Sequence, residues 1–161
     1  MKPSEPFRET RALSWEEVHQ AGLALAQSLR HEGPWQGILA IARGGLIPAA
    51  TLAFALGIRR IETLAIASYD GKRQGTPGVS APGVSAPGVL KDGETTGEGW
   101  LAVDDIADTG KTAETVRTLL PEASLVTLYA KPDGLPYIDR CAVEMPQDIW
   151  LVFPWEGPDA G

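Results

Sequence analysis

The sequence predicts an α/β protein built on a mainly parallel sheet with helices on both faces. Two observations carry this. Short, continuous apolar runs alternate with segments of helical character in the order strand, helix, strand, helix, strand, the order of a parallel sheet covered on both sides. Two of the runs also end in polar, glycine-containing clusters, Ala42-Arg43-Gly44-Gly45 and Asp104-Asp105-Ile106-Ala107-Asp108-Thr109-Gly110-Lys111-Thr112. Ligands in such sheets bind beyond the carboxyl ends of the strands, where these clusters fall.

Each element has a local cause. Ser14-Trp15-Glu16-Glu17 has the form of a capping box, and Val18, Leu25 and Leu29 mark one face of a helix running to about Arg30. Gly33-Pro34 ends it. Gly37-Ile38-Leu39-Ala40-Ile41-Ala42 reads as a buried parallel strand, broken by Arg43-Gly44-Gly45. Pro48 suits the first turn of a second helix and Gly57 its end. Residues 61–68, 100–103 and 125–129 read as further strands, 112–120 as a helix, and 149–152 as a late strand or extended segment.

The chain has 161 residues, which suits one domain spanning 1–161; apolar residues make up 43 %, enough for a core, and charged residues 22 %. The net charge of −7 argues against a nucleic-acid-binding protein, since it repels phosphate backbones and anionic membranes on average. A single cysteine, Cys141, cannot form an internal disulfide, which fits a reducing compartment. The first ten residues are polar, unlike a signal peptide, and no apolar run reaches bilayer length. A cytoplasmic protein without integral membrane contact is expected.

Residues 70–98 are the anomaly. Pro77-Gly78-Val79-Ser80-Ala81 is repeated at residues 82–86 and followed by Pro87-Gly88-Val89. Pro-Gly favours type II turns, and a five-residue period is too short for a solenoid. A loop of this length in a compact domain is usually functional or disordered, and a lid is the favoured reading.

The second polar cluster is the richest in chemistry. Asp104 and Asp105, adjacent after an apolar strand, would sit at the top of the sheet. Without a cation or hydroxyl partners they repel, and at least one pKa rises. Asp108-Thr109-Gly110-Lys111-Thr112 then enters a helix, whose unpaired N–H groups and dipole suit a phosphate. Gly110 permits close backbone approach, and the Thr109 and Thr112 hydroxyls add donors. Taken alone, Asp108 or Thr112 would be an ordinary cap. A P-loop reading of Gly110-Lys111-Thr112 needs glycine at position 105, where Asp stands.

With Val103 included, this cluster resembles the phosphoribosyl pyrophosphate signature of the type I phosphoribosyltransferases, and the chain resembles their bacterial xanthine-guanine branch. Ile41-Ala42-Arg43-Gly44-Gly45-Leu46, Ser68-Tyr69-Asp70, Tyr129-Ala130-Lys131-Pro132, Pro146-Gln147-Asp148-Ile149-Trp150 and Pro154-Trp155 support it. The resemblance implies the type I fold, with a small hood and a flexible lid, and a purine salvage enzyme that needs Mg2+. It would join phosphoribosyl pyrophosphate to guanine, xanthine or hypoxanthine, as a homodimer or homotetramer. It assigns the ribose hydroxyls to Asp104 and Asp105, with Asp105 on the metal side, and the 5′-phosphate to the loop from Asp108 to Thr112. Pyrophosphate falls to Arg43 and Gly44, where a cis peptide at Ala42–Arg43 is implied. Asp108 becomes the candidate general acid/base near the purine N7, Lys131 the donor to the 6-oxo group, Trp150 the stacking residue, and the Leu151 backbone the contact at position 2. Taken singly, Lys131 reads as an exposed strand-end lysine and Trp150 as a core residue.

The chain departs from the family in its lid. Relatives carry an arginine there that reaches the pyrophosphate; position 75 is Gly here, and Lys72 or Arg73 is the suggested substitute. The repeats have no family counterpart. A regulator that binds phosphoribosyl pyrophosphate without catalysis is the competing reading, opposed by the intact Asp104-Asp105 pair, Asp108 and Lys131.

Overall fold

The expected alternation of strand and helix is present in the computed structural model, which describes residues 7–66, 84–85 and 96–157. In chain order the elements are β1 (Glu9–Ala12), α1 (Trp15–Leu29), β2 (Gly37–Ala42), α2 (Leu46–Leu56), β3 (Ile61–Ile66), β4 (Val84–Ser85), β5 (Trp100–Ala107), α3 (Lys111–Leu119), β6 (Ser124–Ala130), a 3-10 turn (Leu135–Tyr137), β7 (Arg140–Glu144) and β8 (Ile149–Val152). The main sheet has the order β4-β3-β2-β5-β6-β7. All its pairings are parallel except β3 with β4.

Side-chain alternation along the central strands divides the core in two. Ile38, Ala40, Leu101 and Val103 face α1 and α2, together with Leu25, Leu29 and Leu52. Their neighbours Leu39, Ile41, Trp100 and Ala102 face the other layer, with Ala113 and Val116 of α3. Strands buried on both faces need apolar residues at every position, hence the unbroken apolar runs.

The capping box forms as read: the Glu17 N–H donates to Ser14 Oγ at 3.1 Å, and the Ser14 N–H donates to Glu17 Oε2 at 2.8 Å. Gly57, at φ 69°, closes α2. β5 differs from expectation. It runs on past Val103, so that Asp104, Asp105, Ile106 and Ala107 are strand residues; Asp104 pairs with Thr127, Ile106 with Tyr129 and Ala107 with Ala130 of β6. Aspartates are depleted in strands, but a parallel partner on one side holds them here. α3 starts one residue before the expected Thr112.

β1 and β7 are not among the strands expected from the sequence. β1 is exposed throughout, and pairs in parallel with β8 to form a small separate sheet, the hood, with Thr10 opposite Trp150. β7 is an edge strand, half-buried at best. Most of the proposed lid, with Lys72, Arg73 and position 75, lies outside the described residues, as do Ser68, Tyr69 and Asp70. Within the second Pro-Gly-Val-Ser-Ala unit, Val84 and Ser85 pair with Ile66 and Ala65 at the edge of the sheet.

Candidate active site

The site begins where the sheet changes direction. From β2 the chain winds to β3 on one side, and from β5 to β6 and β7 on the other, so the β2–β5 boundary is the switch point. The two strands pair only as far as Ala40 and Val103. Beyond that point their ends part, and both polar clusters emerge into the gap.

A cleft of about 230 Å³ opens there, lined by residues 104–113 with Ile41, Leu125 and Thr127. Asp104 and Asp105 are half-buried in it. The Asp105 N–H donates to Asp104 Oδ1 at 2.8 Å, and the Ile106 N–H to Asp105 Oδ1 at 2.7 Å. Burial, reinforced by the Asp105 charge, holds the Asp104 pKa well above the ordinary carboxylate value. Burial raises that of Asp105 as well, with Glu156 adding to it. The groups bearing on this pair are backbone N–H groups and other carboxylates. No cation among the described residues compensates the pair, which is suited to receive one or to accept from hydroxyls. Among the described residues no group of three or more metal-binding side chains forms. A magnesium ion here would rely on one carboxylate and on oxygens brought by the ligand, a common arrangement for that ion.

At the mouth of the cleft the backbone turns into α3. Gly110 is the N-cap, with φ 84° and no side-chain cap. Its conformation disfavours other residues, and a Cβ would collide with the Tyr137 ring. Neither Asp108 nor Thr112 caps the helix, so their reading as ordinary caps fails. Thr109 and Lys111 are exposed, Thr112 half-buried, and the first N–H groups of α3 take no side-chain partner. On the facing loop the Ala42–Arg43 peptide is cis, as the resemblance implied, and Arg43 is exposed. Gly44 packs against Asp105 so closely that a Cβ would overlap its carboxylate.

Lys131 departs from the exposed strand-end lysine of the isolated reading. It is 1 % exposed, and its Nζ lies 3.2 Å from Asp108 Oδ1. The Lys131 N–H donates to the Ala107 carbonyl at 2.9 Å, which ties its loop to the end of β5. Trp150 is 40 % exposed on β8, between the buried Ile149 and Leu151, so it is no core residue. Two residues escaped the sequence reading. Phe7 lies against Trp150, ring centroids 4.8 Å apart, and 5.0 Å from the Lys131 ammonium. Gln147 donates to Asp108 Oδ1 at 3.0 Å. Phe7 stands in a polar stretch with no motif; Gln147 stood inside a recognised segment but had no assigned role.

Fold and cleft together define a phosphoribosyl-transfer architecture, and the phosphoribosyl transferase domain matches residues 14–159. The chain belongs to the phosphoribosyltransferase family. It is 45 % identical over 156 residues to the xanthine-guanine phosphoribosyltransferase of Nitratidesulfovibrio vulgaris, covering 97 % of this chain and 90 % of that protein. It is 42 % identical to the enzyme of the same name from Desulfotalea psychrophila, over 95 % and 90 % of the two chains. Among solved structures, a purine phosphoribosyltransferase from Pyrococcus horikoshii superposes with a TM-score of 0.71 at 31 % identity, covering 92 % of this chain and 94 % of that one.

Proposed function

We propose that this protein transfers the ribose-5-phosphate group of phosphoribosyl pyrophosphate to N9 of guanine, xanthine or hypoxanthine and releases pyrophosphate, in purine salvage. The observation that carries this reading is the Asp104-Asp105 pair. It lies in a cleft whose rim is the start of α3, where the N-cap Gly110 offers no side-chain cap, with the Asp108–Lys131 ion pair alongside. An acidic floor beside an anion-seeking helix end suits a ribose phosphate, hydroxyls on the acids and phosphate on the helix.

In the reaction the C1–oxygen bond to pyrophosphate breaks, the C1–N9 bond forms, and the base loses a proton. Asp105, with the ligand's own oxygens, would hold a magnesium ion, which when bound would supply neutralisation of the leaving pyrophosphate. Asp104 and Asp105 accept from the ribose hydroxyls, and their charge suits the positive character that develops at C1. The backbone of residues 106–112 and the hydroxyls of Thr109 and Thr112 hold the 5′-phosphate. Arg43 and Gly44 meet the pyrophosphate. Asp108 receives the proton the base sheds, through N7. The Lys131 ammonium and the Gln147 amide both approach its Oδ1. The Lys131 ammonium donates to the 6-oxo group and so selects against adenine. Trp150 stacks on the base, and the Leu151 backbone reads position 2.

The test is product formation from phosphoribosyl pyrophosphate, magnesium and each of guanine, xanthine, hypoxanthine and adenine. Nucleotide from the 6-oxopurines and none from adenine is expected. Asp108→Asn should lower kcat by on the order of 10²-fold. No nucleotide from any base, with phosphoribosyl pyrophosphate still bound, would identify a regulator instead.

A further inference from the structure

Three loops carry the residues placed around the base: β5–α3 with Asp108, the segment after β6 with Lys131, and the β7–β8 turn, which leads into Trp150. One side chain touches the first two from the third. Gln147 donates from Nε2 to Asp108 Oδ1 at 3.0 Å and, more weakly, to the Asp108 carbonyl at 3.5 Å. Its Oε1 accepts from the Asp133 N–H at 3.0 Å, two residues beyond Lys131. These partners fix the amide's orientation. Its oxygen must face the Asp133 N–H and its nitrogen the Asp108 oxygens, because a flipped amide would set donor against donor and acceptor against acceptor.

We infer that Gln147 is a positioning residue for proton transfer, holding the Asp108 carboxylate in register with Lys131. The inference rests on the reading of Asp108 as the group that receives the proton of the base. Gln147 and Lys131 converge on the same oxygen, Oδ1. A carboxylate oxygen held by one amide donor and paired with an ammonium loses its freedom to rotate, and Oδ2 is thereby directed. The Asp133 contact ties the same amide to the Lys131 loop, so the spacing between proton acceptor and 6-oxo donor is set by one side chain. Misplacement of a reacting group by about 1 Å costs up to about 10²-fold in rate.

Gln147→Glu separates the two contacts. Glutamate still accepts from the Asp133 N–H, but it replaces the N–H donor facing Asp108 with a carboxylate oxygen. Gln147→Ala removes both contacts. Each variant is compared with wild type and with Asp108→Asn by steady-state kinetics with guanine and phosphoribosyl pyrophosphate, after its thermal transition has been checked. Both are expected to lose on the order of tenfold in kcat with the KM for phosphoribosyl pyrophosphate little changed. In the Asp108→Asn background Gln147→Glu should cost nothing further, because the two residues act as one unit. Wild-type kcat in Gln147→Glu, with Asp108→Asn impaired, overturns the Gln147 assignment alone. So do losses that add fully in the double variant. Wild-type kcat in Asp108→Asn overturns the reading of Asp108 beneath it.

Discussion

Asp104 is held beside a second carboxylate, and burial, with the Asp105 charge, raises its pKa well above the ordinary value. An acid whose folded pKa is raised binds its proton more tightly in the native state. The stability this contributes is present below the unfolded value near 3.8 and is lost as pH rises through the folded pKa. Asp104→Asn removes that penalty at neutral pH. It should raise the melting temperature of the ligand-free protein and abolish nucleotide formation. Thermal scans at pH 4 and pH 8 check the sign: the variant's advantage should shrink at the lower pH. Lys131→Met keeps the length of the side chain and removes the ammonium. It should lower kcat/KM for guanine by about 10²-fold and leave adenine no worse a substrate than before, measured by competing the two bases. Phe7 packs tilted against Trp150 and its ring lies 5.0 Å from the Lys131 ammonium, so it would compete with a base proposed to lie between the two. Phe7→Ala is therefore expected to lower the KM for the base several-fold and leave that for phosphoribosyl pyrophosphate unchanged; a raised KM would mean the ring supports the base instead of competing with it.

At the scale of elements, those legible in the sequence have a strong local cause. α1 follows from its capping box and apolar stripe, and Ser14→Ala, which deletes the hydroxyl acceptor, should cost about 1 kcal/mol in chemical denaturation without altering kcat. β2 and β6 follow from continuous apolar runs. β1 has no apolar run and β7 only Cys141-Ala142-Val143, because an exposed hood strand and an edge strand bury too little to impose a longer pattern. β5 shows the opposite case, in which pairing with β6 carries strand geometry through two aspartates that the local sequence opposes. This matters to function. A carboxylate on a strand anchored through Ala107 is more firmly placed than one on a loop.

Over the whole molecule the two-sided core determines where the cleft can form. Leu101 lies near the start of β5, fully buried between β2 and β6. Leu101→Ala should cost 2–5 kcal/mol, roughly the range for a buried leucine, and weaken phosphoribosyl pyrophosphate binding only through loss of folded protein. A binding isotherm corrected for the folded fraction tests this. On the proposed reading the chain's negative charge would not oppose an anionic substrate, because its phosphate would meet the start of α3, where local N–H donors outweigh the distant field.

The sequence by itself determined the layered α/β plan and the cluster from Asp104 to Thr112, because buried strands and phosphate-binding turns impose their residue types locally. The tertiary structure alone decided three things. It buried Lys131 against Asp108, laid Phe7 on Trp150, and brought Gln147 between two loops. Each joins residues separated along the chain, through contacts that the parallel pairings of β1 with β8, β5 with β6 and β6 with β7 create. No spacing in the sequence encodes such contacts, since the physical cause is the register of strands and not the periodicity of any one of them.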